Sequence, residues 1–455
     1  MNATAMTTSA QQPEADFAVI GLGASGRSCL RYLHRSGAAV VAFDTRTVAP
    51  GMDELRRLYP ALEIVTGTLD EERLARCATI VVSPGVPLDQ PALRALAQQG
   101  KAAIGDVELF ARQARAPIVA ITGTNGKSTV TTLVADMLEA AGKTVRRGGN
   151  LGTPALDLLD EPEPDCYVLE LSSFQLELTT SLAPRVAAVL NITPDHLDRH
   201  GSFERYAAAK GRILARAEHA VLNADDAHVR ALTTSTRRSE FSLGTPGPDR
   251  YGLLEIAGET WLAGPDGALL ATRELVIAGR HNLANALAAV AIARACGAAT
   301  APLIETLRRF RGLPHRAEQV AVIDGRIFIN DSKATNAGAA IAAIEGLLGP
   351  AGGVVIAGGE PKGTGFAEFA ECIVRHAHTA ILIGRAAPEI AESIGGRVPA
   401  TFAMDMRAAV QAAAAAARPG ETVLLAPACA SFDMFDDYAH RGDAFRAAVL
   451  ELGGG

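Results

Sequence analysis

Pro117-Ile118-Val119-Ala120-Ile121-Thr122-Gly123-Thr124-Asn125-Gly126-Lys127-Ser128-Thr129 leaves this chain few folds to choose from. A run rich in β-branched residues ends in a turn bracketed by glycines, and Lys-Ser-Thr then opens a helical pattern from Val130 to Ala141. Such a strand–turn–helix aims backbone N–H groups and a helix N-terminus at one spot, which suits the phosphates of a nucleotide. Lys127 then reaches the β- and γ-phosphates, and the Ser128 hydroxyl holds Mg²⁺. ATP is the expected co-substrate. The loop is shorter than the common G-x-x-x-x-G-K-[ST] pattern, with Ile121 where the first glycine belongs. The bland alternative is a glycine turn carrying a surface lysine.

Strand and helix patterns alternate almost from end to end, which predicts an α/β protein. The first unit holds strands over 17–21, 38–44, 79–82 and 102–104, with a helix over 25–36. The second starts at Pro117 and adds strands over 166–171, 186–192 and 220–222 and helices over 203–217, 281–296 and 302–310. Gly312-Leu313-Pro314 breaks the pattern, and a hairpin over 320–330, turning at Asp324-Gly325, opens the third unit. Three domains follow: a Rossmann-like N-terminal domain over 1–113 (1–16 expected as a disordered tail), a central P-loop ATPase-type α/β domain over 114–312, and a Rossmann-like C-terminal domain over 313–455.

Composition narrows the partners. A net charge of −7 without a basic cluster, and 5% aromatic residues, argue against nucleic acid. No apolar run approaches the roughly 18 residues of a membrane span. Met1 to Asp16 has neither the basic start nor the apolar core of a targeting peptide. Cys29, Cys77, Cys166, Cys296, Cys372 and Cys429 form no C-x-x-C pair and read as reduced, buried thiols of a cytoplasmic protein.

Gly21-Leu22-Gly23-Ala24-Ser25-Gly26 follows a strand and opens a helix, and Asp44 ends the next strand roughly 20 residues on, as in dinucleotide-binding turns. NAD(P) fits that pattern, and so does any nucleotide diphosphate. Ser83-Pro84-Gly85 can line the same crevice. Glu170 ends the strand over 166–171 and suits a Mg²⁺ ligand. Asn191-Ile192-Thr193-Pro194-Asp195-His196-Leu197-Asp198 packs acids, a histidine and an amide into one loop. Hard cations prefer oxygen, which favours Asp195 or Asp198 over His196. Lys210, by position alone, is a solvated helical lysine. Three further strand-end segments, Asn330 to Asn336, Gly358 to Lys362 and Pro427 to Asp433, carry Lys, Ser and Thr in the manner of a small-anion site, with Thr335 as a helix cap.

Together these residues resemble the Mur ligase family. The similarity covers the chain from Phe17 onward and rests on Gly123 to Thr129, Glu170 to Glu177, Asn191 to Asp198, Gly279 to Asn285, Leu313 to Arg316, Asn330 to Asn336 and Pro427 to Asp433. The phrases Glu-Leu-Ser-Ser-Phe-Gln-Leu-Glu and Asp-Ser-Lys-Ala-Thr-Asn look most like the branch that adds D-glutamate, and the short P-loop is the family's own form. The resemblance implies an ATP-dependent amide ligase that joins D-glutamate to UDP-N-acetylmuramoyl-L-alanine through an acyl phosphate, in the cytoplasm, as a monomer without membrane or nucleic-acid partners.

By the same resemblance, Ala24, Ser25, Asp44, Thr45, Arg46, Ser83, Pro84 and Gly85 hold the UDP portion. Gly123, Thr124, Asn125, Gly126, Lys127, Ser128, Thr129, Asn150, Asn282, Arg316 and Asp331 hold ATP. Lys333, Thr335, Lys362, Ser431, Phe432 and Tyr438 hold D-glutamate. Lys127, Glu170, His196, Lys210 and His315 serve catalysis. Ser128, Glu170, His196 and Lys210, the last carbamylated by CO₂, bind two Mg²⁺. The resemblance thus sets His196 above the neighbouring aspartates and gives Lys210 a role that its position does not.

Overall fold

The computed structural model describes residues 15–49, 51–234, 236–277, 279–349, 352–361 and 365–453. They fall into two compact units, Met1–Ile118 with Arg146–Ala183, and Val119–Val145 with Pro184–Gly455.

The first unit is built on a parallel sheet of five strands. Their spatial order is Glu63–Thr66, Val40–Asp44, Ala15–Ile20, Cys77–Val82 and Ala103–Ile104. The N-terminal strand therefore lies between the second and the fourth, and the strand order reverses there. Register places Ile20 beside both Phe43 and Val82, so Gly21, Asp44 and Ser83 emerge side by side at the carboxyl edge. Crevices at such switch points are where open α/β sheets bind ligands. The strand begins at Ala15 rather than Phe17, and residues 1–14 of the expected tail lie outside the described residues. Ala18, Ile20, Phe43, Ile80 and Val82 pack with Leu74, Leu93 and Leu96 of the flanking helices as its core.

In the second unit the P-loop strand Ile118–Thr122 pairs in parallel with Val186–Val189, followed by His219–Asn223 and Arg237–Phe241. Gly123 and Asn191 thus leave adjacent strand ends. An antiparallel meander, Arg250–Ile256, Glu259–Gly264 and Gly267–Ala271, extends the sheet. No sequence signal marks the meander, because Ala257 takes the positive-φ turn position (φ 52) where Asn or Asp would signal a hairpin. The strand expected over 186–192 stops at Val189, and the helix expected over 203–217 ends at Gly211 in a 3₁₀ turn, Arg212–Leu214.

A second sheet of this unit runs Glu318–Ile323, Arg326–Asn330, Thr422–Leu425, Gly353–Gly358, Thr379–Ile383 and Ala400–Phe402. Only its opening hairpin is antiparallel. That hairpin turns where expected, with both Asp324 (φ 48) and Gly325 (φ 75) left-handed. Its carboxyl edge gathers the loops after Asn330, Gly358 and Leu425. The helix after the first of them is capped by Asn336, not Thr335: extended backbone at Asn336 lets its side chain accept from the Ala339 amide at 2.8 Å.

Candidate active site

The cleft of the first unit is lined by Gly21, Ala24, Ser25, Asp44, Thr45, Arg46, Ser83, Pro84 and Gly85, with Asn150 and Gln175 on its far wall. Every residue expected at the UDP portion is there. Gly23 caps the helix Ala24–Arg35 with no side-chain bond, which leaves first-turn N–H groups for an anion. Gly26 allows no substitute, since a Cβ there would sit 1.8 Å from the Gly21 carbonyl oxygen. Asp44 accepts from the Leu22 amide at 2.7 Å and from the Arg46 amide, Nε and Nη2 at 2.9, 2.8 and 2.7 Å. Burial alone would raise its pKa, but the Arg46 guanidinium and the two amides hold it at about 2. Both carboxylate oxygens are thereby engaged, and the Arg46 guanidinium is held at the lip of the cleft. The Ser83 hydroxyl donates to the Gly21 carbonyl at 2.7 Å and ties the two strand ends together.

Asn150 and Glu170 also belong to this unit. The Asn150 amide nitrogen Nδ2 donates to Glu170 Oε1 at 2.6 Å, and the Glu170 side chain is buried.

In the second unit the P-loop is held by its neighbour. The Thr124 amide donates to the Asn191 carbonyl at 2.9 Å and the Asn125 amide to Asn191 Oδ1 at 2.7 Å. Thr193 and Tyr206 both meet the Thr124 hydroxyl. Gly126 caps the helix Lys127–Ala140 in the left-handed region (φ 81), again without a side-chain bond, and a Cβ there would meet Asn285 Oδ1 at 2.4 Å.

Lys127 folds back, donating to the carbonyls of Gly123 and Thr124 at 2.9 and 2.8 Å. Lys210 is not the solvated helical lysine its position suggested. It is 2% exposed, and its Nζ donates to the same Gly123 carbonyl at 2.7 Å, with the Tyr206 ring 4.7 Å away. Tyr206, four residues upstream on the same helix face, is buried with it. Ser128 Oγ accepts from Arg316 Nη2 at 2.6 Å.

The adjoining cleft is lined by Asn125, Gly126, Thr129, Asn282, Arg316, Asp331 and Lys333 among the expected residues, by Asn191 and Asn285, which belong to motifs quoted above but carried no assigned role, and by Asn223 and Phe241, which no sequence motif marks. Asn282 and Asn285, one helical turn apart, are hydrogen-bonded to each other at 3.1 Å. Burial pushes the Asp331 carboxyl up to about 6, against the opposing pull of the Ala317 amide and Arg316.

His196 takes a left-handed φ of 54, which sets its Nε2 3.6 Å from Asp195 Oδ2. Asp195 is buried and accepts from Asn336 Nδ2 at 3.0 Å, whereas Asp198 is exposed. Of the two aspartates favoured on chemistry alone, one is already engaged and the other faces solvent.

His315 does not line the cleft. It is buried against Asn330, whose Nδ2 lies 3.1 Å from its Nδ1, and under Gly442. Lys333 Nζ lies over the Tyr438 ring at 3.9 Å. Ser431 is buried, Phe432 is 70% exposed, and Lys362 lies outside the described residues.

One residue of this region escaped the sequence reading. Arg441 is fully buried. It donates to the carbonyls of Cys429, Ala430 and Ser332 at 3.1, 3.1 and 2.8 Å and to the Ser332 hydroxyl at 3.0 Å. Burial lowers its pKa to about 10. The loops carrying Lys333 and Ser431 are fastened together by this one guanidinium. An arginine inside an otherwise ordinary helix pattern gives no sign of that in sequence.

Within the second unit the Ser128 hydroxyl is a hard oxygen suited to Mg²⁺, and the buried Thr193 Oγ1 has no hydrogen-bond partner among the described residues; within the first, the Glu170 carboxylate has the same character. Lys210 as a cation does not fit, and would do so only as a carbamate.

Three family descriptions match the chain: "Mur ligase MurD-like, N-terminal domain" over residues 15–105, "Mur ligase middle domain" over 121–293 and "Mur ligase, glutamate ligase domain" over 315–429. The UDP-N-acetylmuramoylalanine--D-glutamate ligase of Hahella chejuensis is 48% identical over 441 residues, 96% of this chain and 98% of that one. The protein of the same name from Marinobacter nauticus is 46% identical over 436 residues, 95% and 98% of the two chains. Among solved structures, MurF from Acinetobacter baumannii shares the fold at a TM-score of 0.62 and 18% identity, covering 96% of this chain and 90% of that one.

Proposed function

The chain belongs to the Mur ligase family, and we infer that it is an ATP-dependent ligase adding D-glutamate to UDP-N-acetylmuramoyl-L-alanine in peptidoglycan synthesis. The observation that carries this is the match to curated D-glutamate ligases along 95–96% of the chain at 46–48% identity.

A carboxylate is a poor electrophile because oxide would have to leave. The γ-phosphoryl group of ATP passes to the terminal carboxylate oxygen, ADP leaves, and an acyl phosphate forms. The D-glutamate amine attacks the acyl carbon, loses a proton, and phosphate departs as the amide closes. Positioning and charge neutralisation supply most of what phosphoryl transfer needs. Lys127 would exchange its bonds to the Gly123 and Thr124 carbonyls for bonds to phosphate. Gly123, Thr124, Asn125, Gly126, Ser128 and Thr129 would cradle the phosphates, with Asn150 assigned there by family likeness. Asn282, Arg316 and Asp331 would hold the rest of the nucleotide from the cleft wall.

Ser128, Glu170, His196 and carbamylated Lys210 would each ligate Mg²⁺, which neutralises charge on the phosphates when bound. The geometry around Gly123 favours the carbamate: two lysine ammonium groups share one carbonyl oxygen, and converting Lys210 to an anion replaces that repulsion with attraction to Lys127.

Ala24, Ser25, Thr45, Arg46 and the Ser83–Gly85 loop would bind the uridine diphosphate, with Asp44 orienting Arg46. Lys333, Thr335, Lys362, Ser431, Phe432 and Tyr438 would bind D-glutamate, and His315 would support Asn330 at the base of that loop. The expected domain limits, 1–113, 114–312 and 313–455, are proposed as the working boundaries. A cytoplasmic monomer without membrane or nucleic-acid partners is likewise proposed. Six buried cysteines, none in a disulfide, support a reducing compartment, and no helix among the described residues is long and apolar enough to cross a membrane.

Phosphate release from ATP with UDP-N-acetylmuramoyl-L-alanine, compared across D-glutamate, L-glutamate, L-alanine and a diamino acid, tests the reading. Release and new amide that depend on D-glutamate are expected. Release dependent on another amino acid would overturn the assigned substrate. Activity lost on stripping CO₂ and restored by bicarbonate is the result expected for the carbamate; indifference to CO₂ would remove it.

A further inference from the structure

Outside every loop named above, the helices Ala337–Leu347 and Ala367–His376 pack together over one face of the C-terminal sheet, with Ala340 and Ile344 of the first and Phe369, Ala370, Cys372 and Ile373 of the second in one apolar core. At the edge of that contact stand Glu345 from the first helix and Cys372 and His376 from the second. Cys372 and His376 are four residues apart, so they stack on one helix face. Potential ligand atoms of all three lie within 4.8 Å of one another. Cys372 is buried, His376 half-buried and Glu345 exposed. Among the described residues the Glu345 and His376 side chains form neither a hydrogen bond nor an ion pair, with each other or with any other group. An acid and an imidazole thus face each other across a gap too wide for a direct bond.

We propose that Glu345, Cys372 and His376 form a three-ligand site for a thiophilic divalent cation, with Zn²⁺ the natural occupant. Sulfur, nitrogen and oxygen donors from three side chains are a zinc set, with a fourth position left to water. Bond lengths of about 2.3 Å to sulfur and about 2.0 Å to nitrogen separate tetrahedral ligand atoms by roughly 3.6 Å, so about an ångström of side-chain movement closes the site. The Cys372 thiol gives its proton to solvent as the metal–sulfur bond forms. Mg²⁺ is a poor competitor, because it demands oxygen ligands in octahedral array. The metal would clamp the two helices at the end farther along each from its N-terminus and stiffen the layer they form against the sheet.

Co²⁺ titration of the intact protein in a large excess of Mg²⁺ tests this. One equivalent of Co²⁺ should raise an intense near-ultraviolet thiolate-to-metal band, which Zn²⁺ then bleaches. Cys372→Ser should abolish the band. His376→Gln and Glu345→Gln, both outside the buried core, should each weaken Co²⁺ binding by more than the roughly 10–100-fold that loss of a mere supporting group costs. Absence of a thiolate band in the wild-type protein, its persistence in Cys372→Ser, or unchanged affinity in both outer variants would overturn the site.

Discussion

Gly21–Gly26 in the first unit and Gly123–Gly126 in the second each carry the chain from a buried strand into a helix whose first turn has no side-chain cap. What surrounds them differs. At the first turn the polar groups are spent on one another: Asp44 on Arg46 and Leu22, Ser83 on Gly21. At the second, two lysines rest on the loop's own carbonyls and an arginine on its serine. A turn that only recognises a diphosphate needs a fixed surface. One that transfers a phosphoryl group needs cations close by and ready to change partners as charge develops.

The largest test of that contrast is Lys127→Ala. It should lower kcat by about 10²–10³-fold, with ATP still bound by equilibrium titration; a kcat within a fewfold of wild type would make the two turns equivalent. Next come the paired substitutions Gly26→Ala and Gly126→Ala. The first drives a methyl into backbone, at 1.8 Å from the Gly21 oxygen. The second meets a side-chain oxygen and a left-handed φ. Urea unfolding should show a loss of about 3 kcal/mol or more for Gly26→Ala and about 1–3 kcal/mol for Gly126→Ala. The first should also lose affinity for the UDP substrate and the second for ATP.

Arg46→Ala should raise KM for the UDP substrate about tenfold, roughly 1.4 kcal/mol, with kcat unchanged; a matching fall in kcat would give the first turn a share in the chemistry. The smallest effect is in pH dependence, where the two clefts oppose each other. Asp44, held at about 2, contributes stability that is present above its ordinary pKa and lost as pH falls through about 2. Asp331 is raised from 3.8 to about 6, so the folded protein binds more protons than the unfolded chain between those values, and stability falls as pH rises across them. Asp331→Asn should abolish that fall, about 1 kcal/mol between pH 4.5 and 7 once partial solvent access is allowed for. Urea midpoints at the two pH values would show it, and an unchanged difference would assign the slope to other groups.

Both glycine turns were legible in sequence because their chemistry is local: strand, turn and helix follow one another without interruption. So was the α/β architecture, and even the Asp324-Gly325 hairpin. What remained hidden depends on residues far apart in the chain. Asn191 fastens the P-loop because its strand pairs with the P-loop strand, and Arg441 joins loops about a hundred residues apart in sequence. The meander over 250–271 was missed for a local reason, a turn made by alanine. Lys210 shows the limit most plainly, since its helix pattern fits water as well as core and only the fold reveals the carbonyl waiting for it.

Arg316 bears on the order in which cargo can be loaded. Its guanidinium stands 2.6 Å from the hydroxyl proposed to face the metal. A dication arriving alone would meet a like charge at the threshold. A nucleotide offers that arginine a better anion, draws it aside, and brings in its own escort. Were Ser128 to ligate Mg²⁺ as proposed, the ion would then enter with the triphosphate rather than ahead of it.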